Sequence, residues 1–131
     1  MLRQHGAGGA RAEAVSGFPS VYRIGLPSLR IGRLLAGADV DAPAVHACFA
    51  LIAAVRDTNL LHRGGEDGAT FAAAAAQAFL ADGGVGTPNW RERATAVHAA
   101  FVARNLSPGG CADLLAMTLF VDALDTGTDL T

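Results

Sequence analysis

Apolar residues recur every three or four positions along most of the chain, which is the spacing of one face of an α-helix. The first such segment predicts a helix from about Phe18 to Leu35, and Ser16 is its possible capping residue. Its apolar positions near one face are Phe18, Tyr22, Leu26 and Leu29. Pro27 lacks a backbone N–H, so this helix should kink or split there.

The second predicted helix begins after Asp41, a residue type that caps helix N-termini, and has Pro43 in its first turn. It ends near Arg56. One apolar stripe on it consists of Val45, Cys48, Phe49, Ile52 and Val55.

The third and fourth predicted helices are separated by glycine and proline signals. The third covers about Ala69 to Ala81 and is stopped by Gly83-Gly84. Thr87-Pro88 opens the fourth with a capping residue followed by proline. Their predicted packing faces are Phe71, Ala75, Ala78 and Phe79 on the third, and Trp90, Ala94, Val97 and Phe101 on the fourth.

The fifth predicted helix, about Gly109 to Leu124, is apolar on nearly every side and should have neighbours all round. No segment alternates with a two-residue period, and no repeat of 20–50 residues occurs. The pattern therefore predicts an all-α fold of about five to six packed helices in one domain, residues 1–131, with a frayed tail at 125–131.

Composition narrows the classes of function. Charged residues make up 17% of the chain, below the usual quarter, which suggests a surface covered by a partner or by further sequence. The net charge is −2 without a basic stripe, so nucleic acid is not the expected partner. Cys48 and Cys111 lack the spacing of a zinc site or disulfide framework. No signal peptide or membrane-spanning run is present, so we expect no membrane association and a cytoplasmic location.

One group of polar residues and glycines, from Asp57 to Gly65, follows the second predicted helix directly, and we predict a loop there. Asp57 and Asn59 offer oxygen ligands of the kind that Mg²⁺ prefers. His62 and Arg63 are suited to phosphate, and Gly64-Gly65 would let a ligand approach the backbone. The alternative is an ordinary helix end with a solvated turn.

A second polar segment, Asn105 to Gly110, precedes the fifth predicted helix. Ser107, Pro108, Gly109 and Gly110 would leave backbone N–H groups free at a helix start, where the helix dipole favours an anion. Asp113 lies one turn further and could reach a metal or a ligand hydroxyl. It is equally well explained as a solvated aspartate near a helix start.

Arg11 and Glu13 form a third candidate, although pattern alone would make their segment an N-terminal linker. His5, His46 and His98 show no metal-ligand spacing and are interpreted as surface or half-buried residues.

Taken together, these segments resemble the triphosphoribosyl-dephospho-CoA synthase family, whose product is the prosthetic-group precursor of citrate lyase and malonate decarboxylase. The resemblance covers roughly residues 6 to 124. Four stretches carry it: Gly9 to Pro19, Leu26 to Arg30, Asp57 to Gly65, and Ala103 to Leu115.

The resemblance implies an all-helical transferase that uses ATP and 3′-dephospho-CoA, with Mg²⁺ as cofactor. For this reaction we hypothesise three catalytic candidates: Asp57, which would also bind Mg²⁺, and Glu13 or Asp113 as the base, without a basis for choosing between these two. We assign substrate and phosphate contacts to Arg11, Asn59, His62, Arg63, Gly64, Gly65, Asn105, Ser107, Gly109 and Gly110. Cys111 stands where the family usually has serine, and Arg56 where an acidic residue is common.

The family is about twice as long as this chain, so the resemblance also implies that 1–131 is the C-terminal half of a larger helical domain. Its partner would then be the missing N-terminal half or a second copy. A non-catalytic helical interaction module and an inactive truncated paralogue are alternatives. A helical pyrophosphohydrolase is a third, but its paired glutamates at helical spacing do not occur.

Overall fold

The computed structural model describes residues 17–55 and 58–126, with side chains described outside 58–64 and 125–126. A π-helical segment, Val21–Gly25, leads into helix α1, Leu26–Ala36. The other helices are α2 (Ala42–Ala54), α3 (Thr58–Ala81), α4 (Trp90–Ala103) and α5 (Gly109–Thr126), with a 3₁₀ turn at Gly84–Gly86 between α3 and α4. These residues contain no β-strand, which confirms the all-α prediction.

Pro27 divides the first predicted helix as expected. It lies in the first turn of α1, where its missing N–H removes no helical hydrogen bond. Leu26 and Leu29 are buried, but Tyr22 is 55% exposed, so the predicted stripe does not extend through the π-helical turn. The wider π-helical turn rotates the side chains away from the spacing of an α-helix.

Helix α2 is the central element and packs against α1, α3 and α5. Ala42, Ala47 and Leu51 on it are fully buried. Asp41 occupies the N-cap position, as predicted, but its side chain makes no capping hydrogen bond. The carboxylate of Asp39 instead accepts hydrogen bonds from the backbone N–H groups of Asp41 and Ala42, at 2.9 and 3.2 Å. An aspartate that bonds to the N–H two residues ahead forms a turn that satisfies a backbone donor at the helix start.

Helix α3 differs most from the prediction. It begins at Thr58 instead of near Ala69, so the predicted Asp57–Gly65 loop is helical from Thr58 to Gly64. Only Gly65 interrupts the helix, with φ 64° and ψ −162°. The six residues from Thr58 to Arg63 include no glycine or proline, so they can form a helical stretch. The glycines that follow end this stretch.

The predicted packing face of α3 is confirmed at Phe79, which is buried, and Phe71 and Ala75 are partly buried against the core. Ala78 is exposed, and Ala72 and Ala76, which were not predicted, are buried instead. The ring of Phe79 stacks on that of Phe49 from α2, with 4.1 Å between centroids. Alanine faces carry little information in the sequence, because any side of an alanine-rich helix can be the buried one.

Helix α4 begins three residues later than Thr87, the predicted cap. The Thr87 hydroxyl instead donates a hydrogen bond to the carbonyl of Gly84, at 3.4 Å. The predicted packing face is confirmed, since Trp90 and Phe101 are buried and Ala94 and Val97 are partly buried against the core.

Helix α5 has nearly the predicted bounds but is not covered on every side. Leu114 and Thr118 are fully buried. Leu119, Phe120 and Leu124 are 39, 48 and 60% exposed. Burial all round was therefore a wrong expectation, because α5 packs against the other described helices on one face only. The predicted frayed tail lies outside the described residues from 127 onward.

No helix within the described ranges has the length and apolar character needed to cross a bilayer.

Candidate functional site

Helices α3 and α4 run antiparallel, as two pairs of contacts establish. Near one end, Nη2 of Arg93 donates to the carbonyl of Phe79, at 2.9 Å. Near the other, the guanidinium of Arg104 lies 3.7 Å above the ring of Phe71. Phe71 also meets Phe101 edge to face, with 6.3 Å between centroids.

This pairing brings the two predicted segments to the same end of the helix pair. Gly65 lies six residues before Phe71, which corresponds to about 9 Å along the helix axis. Asn105 follows Arg104 directly. The break in α3 and the turn after α4 are therefore both located beyond the Phe71–Arg104 contact.

The turn after α4 is a Schellman motif, which was not predicted from the sequence. Asn105 has a left-handed φ of 56°, and its N–H donates to the carbonyl of Val102 at 3.0 Å. The N–H of Leu106 donates to the carbonyl of Phe101 at 2.9 Å. Asparagine is the residue besides glycine that most readily adopts this conformation. The backbone of Asn105 thus has a structural role in addition to any contact with a ligand.

Helix α5 begins at Gly109, as predicted. The first hydrogen bond at its start runs from Ala112 N–H to the carbonyl of Pro108, at 3.0 Å. Ser107 is exposed and Gly109 half-buried, whereas Gly110 is buried. Of the two predicted glycines, Gly109 is therefore the one accessible to a ligand.

Asp113 is exposed and lies four residues after Gly109, hence on the same side of α5. Its carboxylate can approach a ligand held at the helix start.

The remaining predicted site residues belong to the first segment and the N-terminal stretch. Asn59, His62 and Arg63 lie in the helical part of α3 at spacings of three and four, so these positions share one face of the helix. Gly64 ends that part, and Gly65 is exposed. Arg11, Glu13 and Asp57 lie outside the described residues.

A groove of about 510 Å³ lies between α2 and α4. Its walls are the two apolar stripes predicted as packing faces, and one end reaches Leu106, Ser107 and Pro108. Polar groups on it come from Thr95, His98 and Ser107, and from Arg91, whose guanidinium pairs with Asp39 and Asp41. The groove could not be predicted from the sequence, because helical spacing does not distinguish a face packed on a neighbour from a face that lines a cleft.

Burial shifts the pKa values of two groups, Cys48 and His46, in the direction that favours their neutral forms. Cys48 lines the groove, and burial raises the pKa of its thiol, so it is a poor nucleophile. His46 is buried, contrary to the surface or half-buried prediction, and burial lowers the pKa of its imidazole. Among the described residues, no group of three or more His, Cys, Asp or Glu side chains is arranged to hold a metal ion.

The fold and groove define an all-α protein with room for a small ligand beside two polar segments. Comparison with protein families identifies it further: residues 1–131 match the CitG family, ATP:dephospho-CoA triphosphoribosyl transferase. The chain belongs to this family, which confirms the resemblance found in the sequence.

Curated relatives agree with this assignment. The chain is 42% identical to a probable 2-(5″-triphosphoribosyl)-3′-dephosphocoenzyme-A synthase of Azotobacter vinelandii, over 94% of this chain and 42% of the relative. It is 44% identical to the protein of the same name from Pectobacterium carotovorum, over 90% of this chain and 37% of the relative. It is 43% identical to the 2-(5″-triphosphoribosyl)-3′-dephosphocoenzyme-A synthase of Pectobacterium atrosepticum, over 88% of this chain and 36% of the relative.

The chain thus spans about two fifths of the length of the curated relatives it matches. No solved structure shows a significant match.

Proposed function

We propose that this chain carries part of the active site of a triphosphoribosyl-dephospho-CoA synthase. ATP would donate its triphosphoribosyl group to the ribose 2′-hydroxyl of 3′-dephospho-CoA, and adenine would leave. The observation that carries the proposal is the family match over residues 1–131. The location of Gly65 and Asn105 at one end of the α3–α4 pair supports it, because a triphosphate needs contacts from more than one direction.

The reaction exchanges one bond at C1′ of the ATP ribose. The bond from C1′ to the adenine nitrogen breaks and a bond from C1′ to the acceptor 2′-oxygen forms, through a transition state with oxocarbenium character. The hydroxyl proton passes to a base on the protein, and the adenine nitrogen takes up a proton as it leaves. Catalysis therefore requires a carboxylate, support for the leaving group and contacts to the phosphates.

Phosphate contacts are assigned to both polar segments. Arg63 with His62, Gly64 and Gly65 would bind from α3, and the exposed Ser107 with Gly109 would bind at the start of α5. Backbone N–H groups at a helix start favour an anion. The buried Gly110 would act by allowing close packing at this helix start.

Two carboxylates are candidates for the base. Asp113 is exposed on the side of α5 that also carries Gly109. Glu13, with Arg11 beside it in sequence, is the other. Comparing Asp113→Asn with Glu13→Gln would distinguish them, since the loss of the base lowers kcat without weakening ATP binding.

Magnesium would be held by Asp57 and Asn59 together with phosphate oxygens. The described residues add no carboxylate cluster to this pair, so no step above depends on the metal. When bound, Mg²⁺ would neutralise phosphate charge.

The decisive measurement is adenine release from ATP in the presence of magnesium and 3′-dephospho-CoA. It should be run with the chain alone and with a separately supplied polypeptide that covers the rest of a relative. Asp57→Ala and Arg63→Ala should each lower the rate at least tenfold, whereas the exposed Arg23→Ala should leave it unchanged. Unchanged adenine release in both site variants would refute the residue assignment.

A non-catalytic helical interaction module is the second candidate, and the exposed Leu119, Phe120 and Leu124 on α5 favour it. Such a face promotes association with the rest of the enzyme or with a second copy. A stable monomer in size-exclusion chromatography, together with adenine release by the chain alone, would exclude this candidate.

A further inference from the structure

We infer that the groove between α2 and α4 holds the pantetheine arm of 3′-dephospho-CoA. This inference rests on the proposed function and specifies where its second substrate lies. The groove itself is formed entirely by described residues, among them Phe49, Ile52, Val97 and Phe101.

The dimensions of the groove match those of the arm. From Trp90 to Phe101 the α4 wall rises about 16 Å. The arm, made of pantoate, β-alanine and cysteamine units, is comparable to four extended residues and spans about 14 Å. The groove volume of about 510 Å³ lies within the range typical of small-molecule sites.

The chemistry of the walls suits the alternation of apolar and polar units along the arm. The apolar surface offered by Val45, Ile52 and Val97 can cover its dimethyl and methylene groups. The Thr95 hydroxyl and the His98 imidazole lie along the α4 wall and can bond its two amides. Cys48 adds a protonated thiol, which is compatible with an apolar ligand.

The position of the groove fits the direction of the substrate. One end reaches Ser107 and Pro108, directly before the helix start assigned to phosphate. The arm of 3′-dephospho-CoA is attached to its pyrophosphate. A molecule with its arm in the groove and its phosphates near Ser107 would therefore bring its ribose toward the end of α4 where Gly65 also lies.

The test compares two alanines on α4. Ala94 lines the groove, and Ala94→Phe would fill part of it. Ala99 is exposed away from it, so Ala99→Phe is the matched control. Thr95→Phe, at an exposed position on the groove, serves as a second variant if Ala94→Phe unfolds by circular dichroism.

Binding is measured by calorimetry on the whole chain, with 3′-dephospho-CoA and ATP as separate probes. We expect Ala94→Phe or Thr95→Phe to weaken 3′-dephospho-CoA binding at least tenfold and to leave ATP binding within twofold. Ala99→Phe should change neither. Unchanged 3′-dephospho-CoA binding in the groove variants would overturn the inference and leave the proposed function intact.

Two other outcomes also decide the question. If the parent chain binds neither 3′-dephospho-CoA nor ATP, even with the separately supplied polypeptide that covers the rest of a relative, the inference and the proposed function both fail for this chain. If filling the groove changes the oligomeric state in size-exclusion chromatography but not 3′-dephospho-CoA binding, the groove is a surface between chains and the inference is wrong.

Discussion

The guanidinium of Arg33 on α1 donates two hydrogen bonds to the carboxylate of Asp122 on α5, at 3.0 and 2.5 Å. The Asp122 side chain is only 9% exposed, whereas that of Arg33 is 46% exposed. This paired geometry joins the first helix to the last, across 89 residues of sequence. The hydrogen bonds from Arg33 lower the pKa of Asp122, in spite of the opposing effect of its burial.

Arg33→Ala should destabilise the protein by about 1–3 kcal/mol, because it removes two charge-assisted hydrogen bonds from a buried carboxylate. The value should lie toward the lower end, since water partly screens the half-exposed guanidinium. Urea denaturation at pH 7 measures the change. Arg91→Ala, which breaks the surface pairs to Asp39 and Asp41, should have a smaller effect, and an equal loss in both variants would contradict the argument.

The same ion pair makes a prediction about pH. The folded-state pKa of Asp122 lies below its ordinary value of 3.8, so the unfolded chain binds the proton more readily. Its contribution to stability is present above about pH 3.8 and is lost as the pH falls through the lower folded value. In denaturation series at decreasing pH, the difference between wild type and Arg33→Ala should therefore shrink in this acidic range.

Gly84→Ala should be more destabilising than Gly37→Ala, although both glycines have left-handed φ values of 55° and 60°. A Cβ at Gly84 would lie 2.6 Å from Cε1 of His46, whereas one at Gly37 would meet no atom within 4 Å. Both variants bear a backbone cost of about 1–2 kcal/mol, and only Gly84→Ala adds a clash. Thermal unfolding of the two proteins measures the difference.

Shortening His46 provides the control for that interpretation. In the Gly84→Ala, His46→Ala double variant, the part of the loss caused by the clash should disappear, giving a non-additive result. Strict additivity of the two substitutions would show that the ring and the added methyl group do not meet.

The stability of the protein should also fall on acidification because of His46. Among the described residues, its Nδ1 is buried without a hydrogen-bond partner, and burial places its folded-state pKa below 6.5. The unfolded chain therefore takes up the proton first, and stability declines as the pH drops below about 6.5 toward the folded value. His46→Gln should lose less stability than wild type between pH 7.5 and 5.5 in urea denaturation. A decline equal to that of wild type would exclude His46 as its source.

Elements with strong local signals were predicted well from the sequence. Pro27, Pro43 and Gly83 each act through the backbone of their own residue, so they lie where helices were expected to divide, begin and end, respectively. The aromatic positions Trp90 and Phe101 are likewise buried as predicted, because large apolar side chains on one helix face have few alternatives.

Features that depend on contacts distant in sequence could not be predicted in this way. The burial of His46 depends on the close approach of Gly32 and Gly84 from two other elements. Gly64-Gly65 was interpreted as the end of a loop, whereas it ends a helical stretch. Predicting the groove would require the distance between α2 and α4, and the apolar stripe on either helix gives no information about that distance.

Gly65→Ala tests the connection between the break in α3 and ligand binding. With φ 64° and ψ −162°, Gly65 occupies a region that essentially only glycine adopts, so alanine should cost about 1–3 kcal/mol. A Cβ there would meet no atom within 4 Å, so this cost arises from the backbone alone. Under the proposed function, the change reorients Asn59 and Arg63 relative to the start of α5. We expect ATP binding to weaken at least fivefold in calorimetry.

Gly37→Ala is the matched control, because it imposes left-handed strain, also without a clash, in the turn between α1 and α2. It should reduce stability to a similar extent and leave ATP binding unchanged. If both variants bind ATP as wild type does, the geometry at Gly65 does not contribute to the phosphate site. If both weaken ATP binding equally, the effect follows from global destabilisation, and the connection between Gly65 and the ligand is again refuted. Only a loss confined to Gly65→Ala supports a site that requires the break in α3.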